Sequence, residues 1–218
     1  RVFLSFPDTT GVPRTAEVLV TGNPVRREFL RVPHQKGDEL IVVGGSQGSR
    51  SLVEATLRAA PALARLPGLR LRLLVGWAAD PRRVEARLRE AGLFRVQVER
   101  YTERMPEALA RARLVLARAG ASTVAELAAS GRPAILVPWP AAAGGHQEAN
   151  AQALAARGGC LLLRERELKR ADLGELIARL WRDGKRLREM GRAARRAARP
   201  EAARAVAEAL LELGKGGR

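Results

Sequence analysis

The chain has 218 residues, of which 46% are hydrophobic, enough for one sizeable core or for one domain with appendages. No apolar run reaches the ~18 residues of a membrane-spanning helix, and the single cysteine, Cys160, excludes an internal disulfide and a cysteine-based metal site. The formal net charge of +16 has three competing explanations: an arginine-rich composition, attraction to an anionic membrane surface, or nucleic-acid binding.

Nucleic-acid binding is the weakest of these explanations. Aromatic residues make up only 4% of the chain, and no zinc-finger, RNP or helix-turn-helix pattern is visible. Much of the charge lies in residues 179–199, an amphipathic run that is typical of a solvated helix face. We therefore expect an anionic membrane surface, and no nucleic acid, among the partners.

The first 38 residues are irregular. Short strands are predicted at 1–6 and 17–21, followed by the turn Gly22-Asn-Pro-Val-Arg26 and a polar linker at 33–38. Arg26 could pair with phosphate, although in a chain this rich in arginine it could equally be a surface residue. Because residue 1 is not Met, we expect the chain to be part of a longer protein.

From residue 39 onward, predicted strands and helices alternate. The strands fall at 40–43, 71–76, 94–101, 114–117, 134–137 and 160–163, the last containing a buried Cys160. The helices fall at 51–60, 81–91, 105–112, 122–131, 146–157, 173–181, 185–198 and 201–213. This alternation predicts an α/β fold with a doubly wound, parallel, six-stranded Rossmann-like sheet. Ligands of such sheets bind beyond the carboxyl ends of the strands, where the conspicuous motifs of this chain also lie.

The segment 114–140 is a strand, glycine turn, helix and strand. Ser122 and Thr123 offer N-cap oxygens after Gly120, and Thr123 to Glu126 has the spacing of a capping box, as does Ser51 to Glu54. Glu126 therefore has two interpretations. It could cap the backbone N–H of Thr123, or it could accept hydrogen bonds from two ribose hydroxyls.

The run Gly44-Gly-Ser-Gln-Gly48 follows the first regular strand. It lacks the Gly-Lys-Ser/Thr ending of a P-loop and the spacing of a dinucleotide fingerprint. Its exposed backbone N–H groups and the following helix dipole nevertheless suit a diphosphate, the alternative being a mere tight turn.

His146, Gln147 and Asn150 open a predicted helix. Gln147 and Asn150 could present amides to a sugar or belong to an ordinary helix surface, and His146 has no partner carboxylate nearby that would make it a general base. The acidic residues are scattered. We therefore expect neither a metal nor a cofactor.

Taken together and in this order, Gly22 to Arg26, Gly44 to Gly48, Arg118 to Glu126 and His146 to Ala151 resemble the MurG-type glycosyltransferases. That family transfers N-acetylglucosamine (GlcNAc) from UDP-GlcNAc to the lipid-linked acceptor lipid I, undecaprenyl-pyrophosphoryl-N-acetylmuramoyl-pentapeptide, forming lipid II for peptidoglycan. The resemblance implies a GT-B architecture, of which this chain is the C-terminal, nucleotide-sugar-binding half. It implies three parts: 1–36 as the remnant of the acceptor domain and hinge, 37–198 as the UDP-GlcNAc domain, and 199–218 as a helix packing back toward the N-terminal half.

The resemblance also implies roles for individual residues. Arg26 and the loop of Ser46, Gln47 and Gly48 would hold the diphosphate, and the backbone from Thr102 to Met105 would read uracil. Ala121, Ser122 and Thr123 would line the phosphate and ribose region, where Glu126 would accept from the ribose hydroxyls. The GlcNAc contacts would come from His146, Gln147 and Asn150. One departure is that many members carry Asp or Asn just before the His-Gln pair, where this chain has Gly144-Gly145. This departure bears on how the loop contacts the sugar.

The implied mechanism is a single displacement with inversion and no built-in metal. No catalytic residue is expected in this half, since the base and the lipid-binding surface belong to the other half, so the isolated chain should bind UDP but turn over little. The family implies a cytoplasmic protein, peripheral on the inner face of the plasma membrane. Alternatives are the donor half of another GT-B enzyme such as a diacylglycerol glucosyltransferase, a donor-binding subunit with a separate membrane-anchored partner, or a basic nucleic-acid binder.

Overall fold

A computed structural model describes residues 1–6, 15–33, 37–168, 170 and 172–216. Within these ranges, strands β1 (Val2–Leu4) and β2 (Val18–Val20) form a small parallel sheet. Both strands were predicted from the sequence. No described helix is long and apolar enough to cross a membrane.

The larger sheet has six strands, all parallel. They are β3 (Glu39–Val43), β4 (Arg70–Leu74), β5 (Val96–Glu99), β6 (Ala112–Ala117), β7 (Ala134–Leu136) and β8 (Cys160–Leu162). Their spatial order is β5-β4-β3-β6-β7-β8, so the direction of winding reverses between β3 and β6. The carboxyl ends of these two strands flank the crevice where ligands of such sheets bind. The predicted fold class is confirmed.

Helices cover both faces of this sheet. The described helices are α1 (Arg27–Leu30), α2 (Arg50–Ala64), α3 (Pro81–Glu90), α4 (Met105–Arg111), α5 (Ala121–Ser130), α6 (His146–Ala155), α7 (Glu165–Leu168), α8 (Leu173–Arg182), α9 (Gly184–Ala197) and α10 (Ala202–Gly216). The sequence analysis did not predict α1 and α7, because a four-residue helix is too short to show the apolar periodicity of a helix.

The hydrophobic core is divided by the sheet into two layers. On β3, Leu40 and Val42 pack in one layer, whereas Ile41 and Val43 pack in the other. This alternation follows from the two-residue period of a strand. All five residues of β3 are buried, as expected for a central parallel strand covered by helices on both faces.

Both predicted capping boxes are wrong. Helix α2 is capped by Ser49, whose Oγ accepts from the Leu52 N–H at 3.4 Å, so the cap lies two residues earlier than the predicted cap at Ser51. Helix α5 is capped by Gly120 without a side-chain hydrogen bond. The chain enters α5 directly from the glycine turn, which places Thr123 inside the helix and frees Glu126 from any capping role.

The small sheet lies beside the C-terminal helix. Arg1 binds Glu17 at 2.8 Å and Glu212 on α10 at 2.9 Å. The predicted domain boundaries at 36/37 and 198/199 stay predictions, and residues 34–36 of the predicted linker lie outside the described ranges.

Cys160 is buried in β8, as the sequence predicts. Burial raises the pKa of its thiol to about 12. Because the thiolate is the reactive form, we expect no reaction with a disulfide reagent at neutral pH until the chain unfolds. Titrating the thiol with and without urea checks this, and rapid labelling of the native chain would contradict it.

Candidate functional site

The candidate site lies at the carboxyl edge of the larger sheet, in the loops that follow β3 to β7. The loop after β3 forms a tight turn, in which the Gly48 N–H donates to the Gly45 carbonyl at 3.0 Å. The side chains of Ser46 and Gln47 are exposed at its tip. The base of the loop packs on the next one, since a Cβ on Gly48 would lie 2.0 Å from the Val75 carbonyl oxygen. The base of the loop is therefore held in place, while the side chains at its tip are exposed.

A buried arginine that the sequence analysis did not single out joins this loop to its neighbours. The guanidinium of Arg118, directly after β6, donates to Ser49 Oγ at 2.9 Å and to Ser51 Oγ at 2.7 Å. It also donates to the carbonyls of Val137 and Pro138 at 3.1 and 3.2 Å, and pairs with Glu165 of α7 at 2.5 Å. Arg118 thus holds together the start of α2, the end of β7 and α7.

The N-terminus of α5 projects from this edge with its backbone donors uncapped by side chains. The first helical hydrogen bond runs from the Val124 N–H to the Gly120 carbonyl at 2.9 Å, and no acidic residue lies in the first turn. Ala121, Ser122 and Thr123 therefore supply N–H groups at the positive end of a helix dipole, which favours an anion. The Asn23 amide donates to Ser122 Oγ at 3.4 Å and brings the 22–26 turn to this helix end.

Glu126 lies within the electrostatic influence of Arg26 beside that helix end. Burial raises the pKa of the Glu126 carboxyl, and the positive charge of Arg26 acts in the opposite direction. The exposed guanidinium of Arg26 lies over the Phe29 ring at 5.2 Å and donates to the Glu103 carbonyl at 3.4 to 3.5 Å. The structure thus places the 22–26 turn between α5 and the loop after β5.

The loop after β5 carries the residues predicted to read a base. Thr102 Oγ1 accepts from the Arg104 N–H at 3.2 Å, and half-buried Met105 begins α4. Tyr101 at the start of this loop is 68% exposed. The contact from Arg26 to Glu103 connects this loop to the phosphate-binding candidates.

The loop after β7 reaches α6 through two glycines. Gly144 and Gly145 have φ of +58° and +66°, a conformation that glycine adopts freely and that Asn and Asp adopt more readily than most residues. Glycine therefore suits both positions of this turn.

The three predicted sugar contacts on α6 differ in exposure. His146 is exposed, and its Nδ1 lies 2.5 Å from the Ala143 carbonyl. Gln147 Oε1 accepts from the Trp139 N–H at 3.0 Å. Asn150 is buried and donates to the Ala119 carbonyl at 3.0 Å, so it braces the glycine turn before α5. Their role as sugar contacts stays a prediction.

This arrangement combines donors for an anion with an acceptor for hydroxyls. Uncapped N–H groups, the glycine loop and Arg26 would stabilise charge that develops on a leaving diphosphate. Among the described residues, no three of His, Cys, Asp and Glu converge as a metal site would require. The absence of a metal or cofactor requirement stays a prediction.

Comparisons with known proteins identify the family of this chain. Residues 39–206 match the model of the "Glycosyltransferase family 28 C-terminal domain". A protein of Nitratidesulfovibrio vulgaris named UDP-N-acetylglucosamine--N-acetylmuramyl-(pentapeptide) pyrophosphoryl-undecaprenol N-acetylglucosamine transferase is 40% identical over 220 residues, covering 98% of this chain and 60% of its own length. A Syntrophotalea carbinolica protein of the same name is 41% identical over 197 residues, covering 89% of this chain and 55% of its own length.

A solved structure gives the same picture. The crystal structure of Acinetobacter baumannii MurG superposes with a TM-score of 0.75 at 29% identity, covering 96% of this chain and 59% of that one. The chain therefore spans about 60% of the length of the curated relatives it matches.

Proposed function

This chain belongs to glycosyltransferase family 28, whose C-terminal domain it contains, and we propose that it is the donor-binding half of an inverting N-acetylglucosaminyltransferase. The donor is UDP-GlcNAc and the acceptor is undecaprenyl-pyrophosphoryl-N-acetylmuramoyl-pentapeptide, lipid I, which becomes lipid II. The names of the relatives support both substrates. The observation that carries the proposal is the uncapped N-terminus of α5, which lies close to the 22–26 turn and carries Glu126 one turn further along.

In the proposed complex, each loop at the edge binds one part of the donor. Arg26 and the loop of Ser46, Gln47 and Gly48 hold the diphosphate, together with the N–H groups of Ala121, Ser122 and Thr123. The backbone from Thr102 to Met105 reads uracil. Glu126 accepts from the ribose hydroxyls, His146 and Gln147 lie toward the sugar, and Asn150 supports them from behind by holding the turn before α5.

The proposed reaction is a direct displacement at the anomeric carbon. The C4 hydroxyl of the acceptor attacks, the bond to the diphosphate breaks, and UDP leaves. Negative charge builds on the leaving oxygen, where Arg26 and the helix dipole lower the barrier. The group that takes the hydroxyl proton, the lipid-binding surface and the association with the inner face of the membrane belong, in this proposal, to the rest of the enzyme.

Donor binding is the direct test of the site. Replacing Glu126 with Ala removes a charged acceptor of two hydroxyl hydrogen bonds and should weaken UDP-GlcNAc binding by at least about 100-fold, since such bonds contribute about 1.5–3 kcal/mol each. Calorimetric titration with UDP-GlcNAc, UDP-glucose, UDP and inorganic phosphate measures this. Phosphate binding should be nearly unchanged. An equal loss for phosphate and UDP would contradict the ribose role.

The raised pKa of Glu126 gives the binding a pH dependence. Only the ionised carboxylate accepts from two hydroxyls, so donor affinity should fall as the pH is lowered through this raised pKa. UDP-GlcNAc is a suitable probe because its diphosphate diester does not take up a proton in that range. The Glu126→Gln variant should bind more weakly and show no such fall. A wild-type pH profile in that variant would exclude Glu126 as the titrating group.

The division of labour between halves is tested by activity. The 218-residue chain alone should bind donor and transfer no measurable GlcNAc to a lipid I analogue. Adding the missing half as a second chain, or as one continuous enzyme, should restore transfer. Turnover by the chain alone would overturn this part of the proposal.

A further inference from the structure

A second concave site lies at the opposite edge of the larger sheet, where the strands begin. It is a cavity of about 300 Å³ between the starts of β6 and β7 and one face of α9. That volume is at the lower end of the range for small-molecule sites. None of the described residues that line it belongs to the loops of the donor site.

The lining of this cavity is basic. Arg113 comes from β6, Arg132 directly precedes the turn into β7, and Arg188 and Arg192 are one turn apart on α9. Leu187 and Pro133 supply apolar walls, and no described residue of the lining is acidic. The wall is closely fitted, since a Cβ on Gly191 would lie 2.6 Å from the Gly131 carbonyl oxygen.

The charges of three of these arginines are not neutralised within the described part of the chain. Arg113, Arg188 and Arg192 form no ion pair there, although many other arginines do. Arg113 lies 4.9 Å over the Trp181 ring and donates to the Trp181 carbonyl, while its Nε is buried without a partner among the described residues. The side chains of Arg188 and Arg192 make no hydrogen bond to any described residue.

Burial lowers the pKa of two of the lining arginines. Burial and the nearby charge of Arg195 lower the pKa of Arg132 to about 10, and burial lowers the pKa of Arg113. Concentrated like charges around a concave, partly apolar space are costly until an anion enters. Guanidinium groups from different elements can approach one phosphate from several sides, and arginine is the preferred side chain for that contact.

We propose that this cavity is a second ligand site, which binds a phosphate group carried on a small organic moiety, independently of the donor site. Two sources offer that chemistry: a free phosphate ester, or the headgroup of an anionic phospholipid. The proposal rests on the cavity itself and not on the proposed transfer reaction.

The test compares a cavity variant with a matched control on the same helix. Arg188→Glu with Arg192→Glu reverses two charges in the cavity, whereas Lys185→Glu with Arg196→Glu reverses two exposed charges of α9 outside it. The cavity variant and the control variant therefore have the same net charge. Thermal unfolding shows that each variant is folded, and Arg188→Gln with Arg192→Gln replaces the first variant if it is not.

Two binding measurements distinguish the sources. The first is calorimetric titration with glycerol 3-phosphate at constant ionic strength. The second is flotation with phosphatidylglycerol vesicles, with phosphatidylcholine vesicles for comparison. The cavity variant should lose at least about tenfold in affinity in one measurement, because it replaces two guanidinium contacts to the phosphate with repulsive carboxylates, and the control variant should lose much less.

Each outcome is decisive. Saturable binding of glycerol 3-phosphate that is lost only in the cavity variant supports the site and identifies a free ester. Vesicle binding alone, lost only in the cavity variant, supports it and identifies a lipid headgroup. If neither probe binds, or if both variants lose binding equally, the proposal is overturned and the charge acts without a specific site.

Discussion

Replacing Arg118 with Ala is expected to lower the free energy of unfolding by about 3–5 kcal/mol, because it removes a buried, charged donor from a network of two serine hydroxyls, two backbone carbonyls and one carboxylate. Glu165 loses its ion pair, and Ser49, Ser51 and two backbone carbonyls lose donors at the same time. Since these groups connect the start of α2 to β7 and α7, the glycine loop should also lose its fixed position. Donor affinity should therefore fall as well, although Arg118 is not proposed to touch the donor.

Urea unfolding and donor titration measure these two effects. The control is Arg164→Ala, which removes the half-exposed pair with Glu148 and should cost no more than about 1 kcal/mol. Arg118→Lys keeps the charge, but an ammonium cannot replace a planar guanidinium that serves acceptors on several sides, so it should restore only part of the stability. If Arg118→Ala unfolds at the same urea concentration as Arg164→Ala, the network does not have the importance we assign to it.

The fold was predictable because its signals are local. Apolar runs of strand length alternate with helical segments, and punctuation such as Pro81 at a helix start and Gly131 at a helix end sets several boundaries within a residue or two. The parallel, doubly wound arrangement then follows from the alternation alone.

The wrong predictions concern residues whose hydrogen-bond partners are determined by tertiary contacts. A capping box is recognised by spacing alone, and both spacings were present. In the structure, however, Ser49 caps α2, and Ser51 instead contacts Arg118, which is 67 residues further along the chain. Arg118 itself was overlooked because its partners are scattered between residues 49 and 165. One sequence signal was available: a charged residue directly after a fully apolar strand and before a glycine turn must bury its charge or point into the site.

Only part of the candidate site could be predicted from the sequence, again because tertiary contacts determine the rest. Residue types and loop positions predict which side chains reach the edge, as for Ser46, Glu126 and Gln147. They do not predict that Asn150 is buried behind the edge and binds the Ala119 carbonyl. A helix-surface pattern cannot show which of two polar residues one turn apart faces a neighbouring backbone.

Replacing Gly48 with Ala is the second change from which we expect a large effect. Gly48 has φ of +77°, and an added Cβ would lie 2.0 Å from the Val75 carbonyl oxygen and 2.8 Å from Ala78 Cβ. Neither the backbone oxygen nor its strand can move aside cheaply, because the Val75 N–H is bonded to the Glu99 carbonyl at 3.0 Å. The loop after β3 must shift away from the loop after β4, and this displaces the N–H groups that we propose bind the diphosphate.

Gly45→Ala separates this steric effect from backbone strain. Gly45 has nearly the same φ, +84°, but nothing lies within 4 Å of its added Cβ, so its cost should be limited to about 1–2 kcal/mol of left-handed strain. We expect Gly48→Ala to lose several kcal/mol more than this control in urea unfolding. Donor affinity should fall with it, because the packing of Gly48 against the neighbouring loop positions the backbone that we propose binds the diphosphate. Equal losses for the two variants would show that the loops do not depend on this contact.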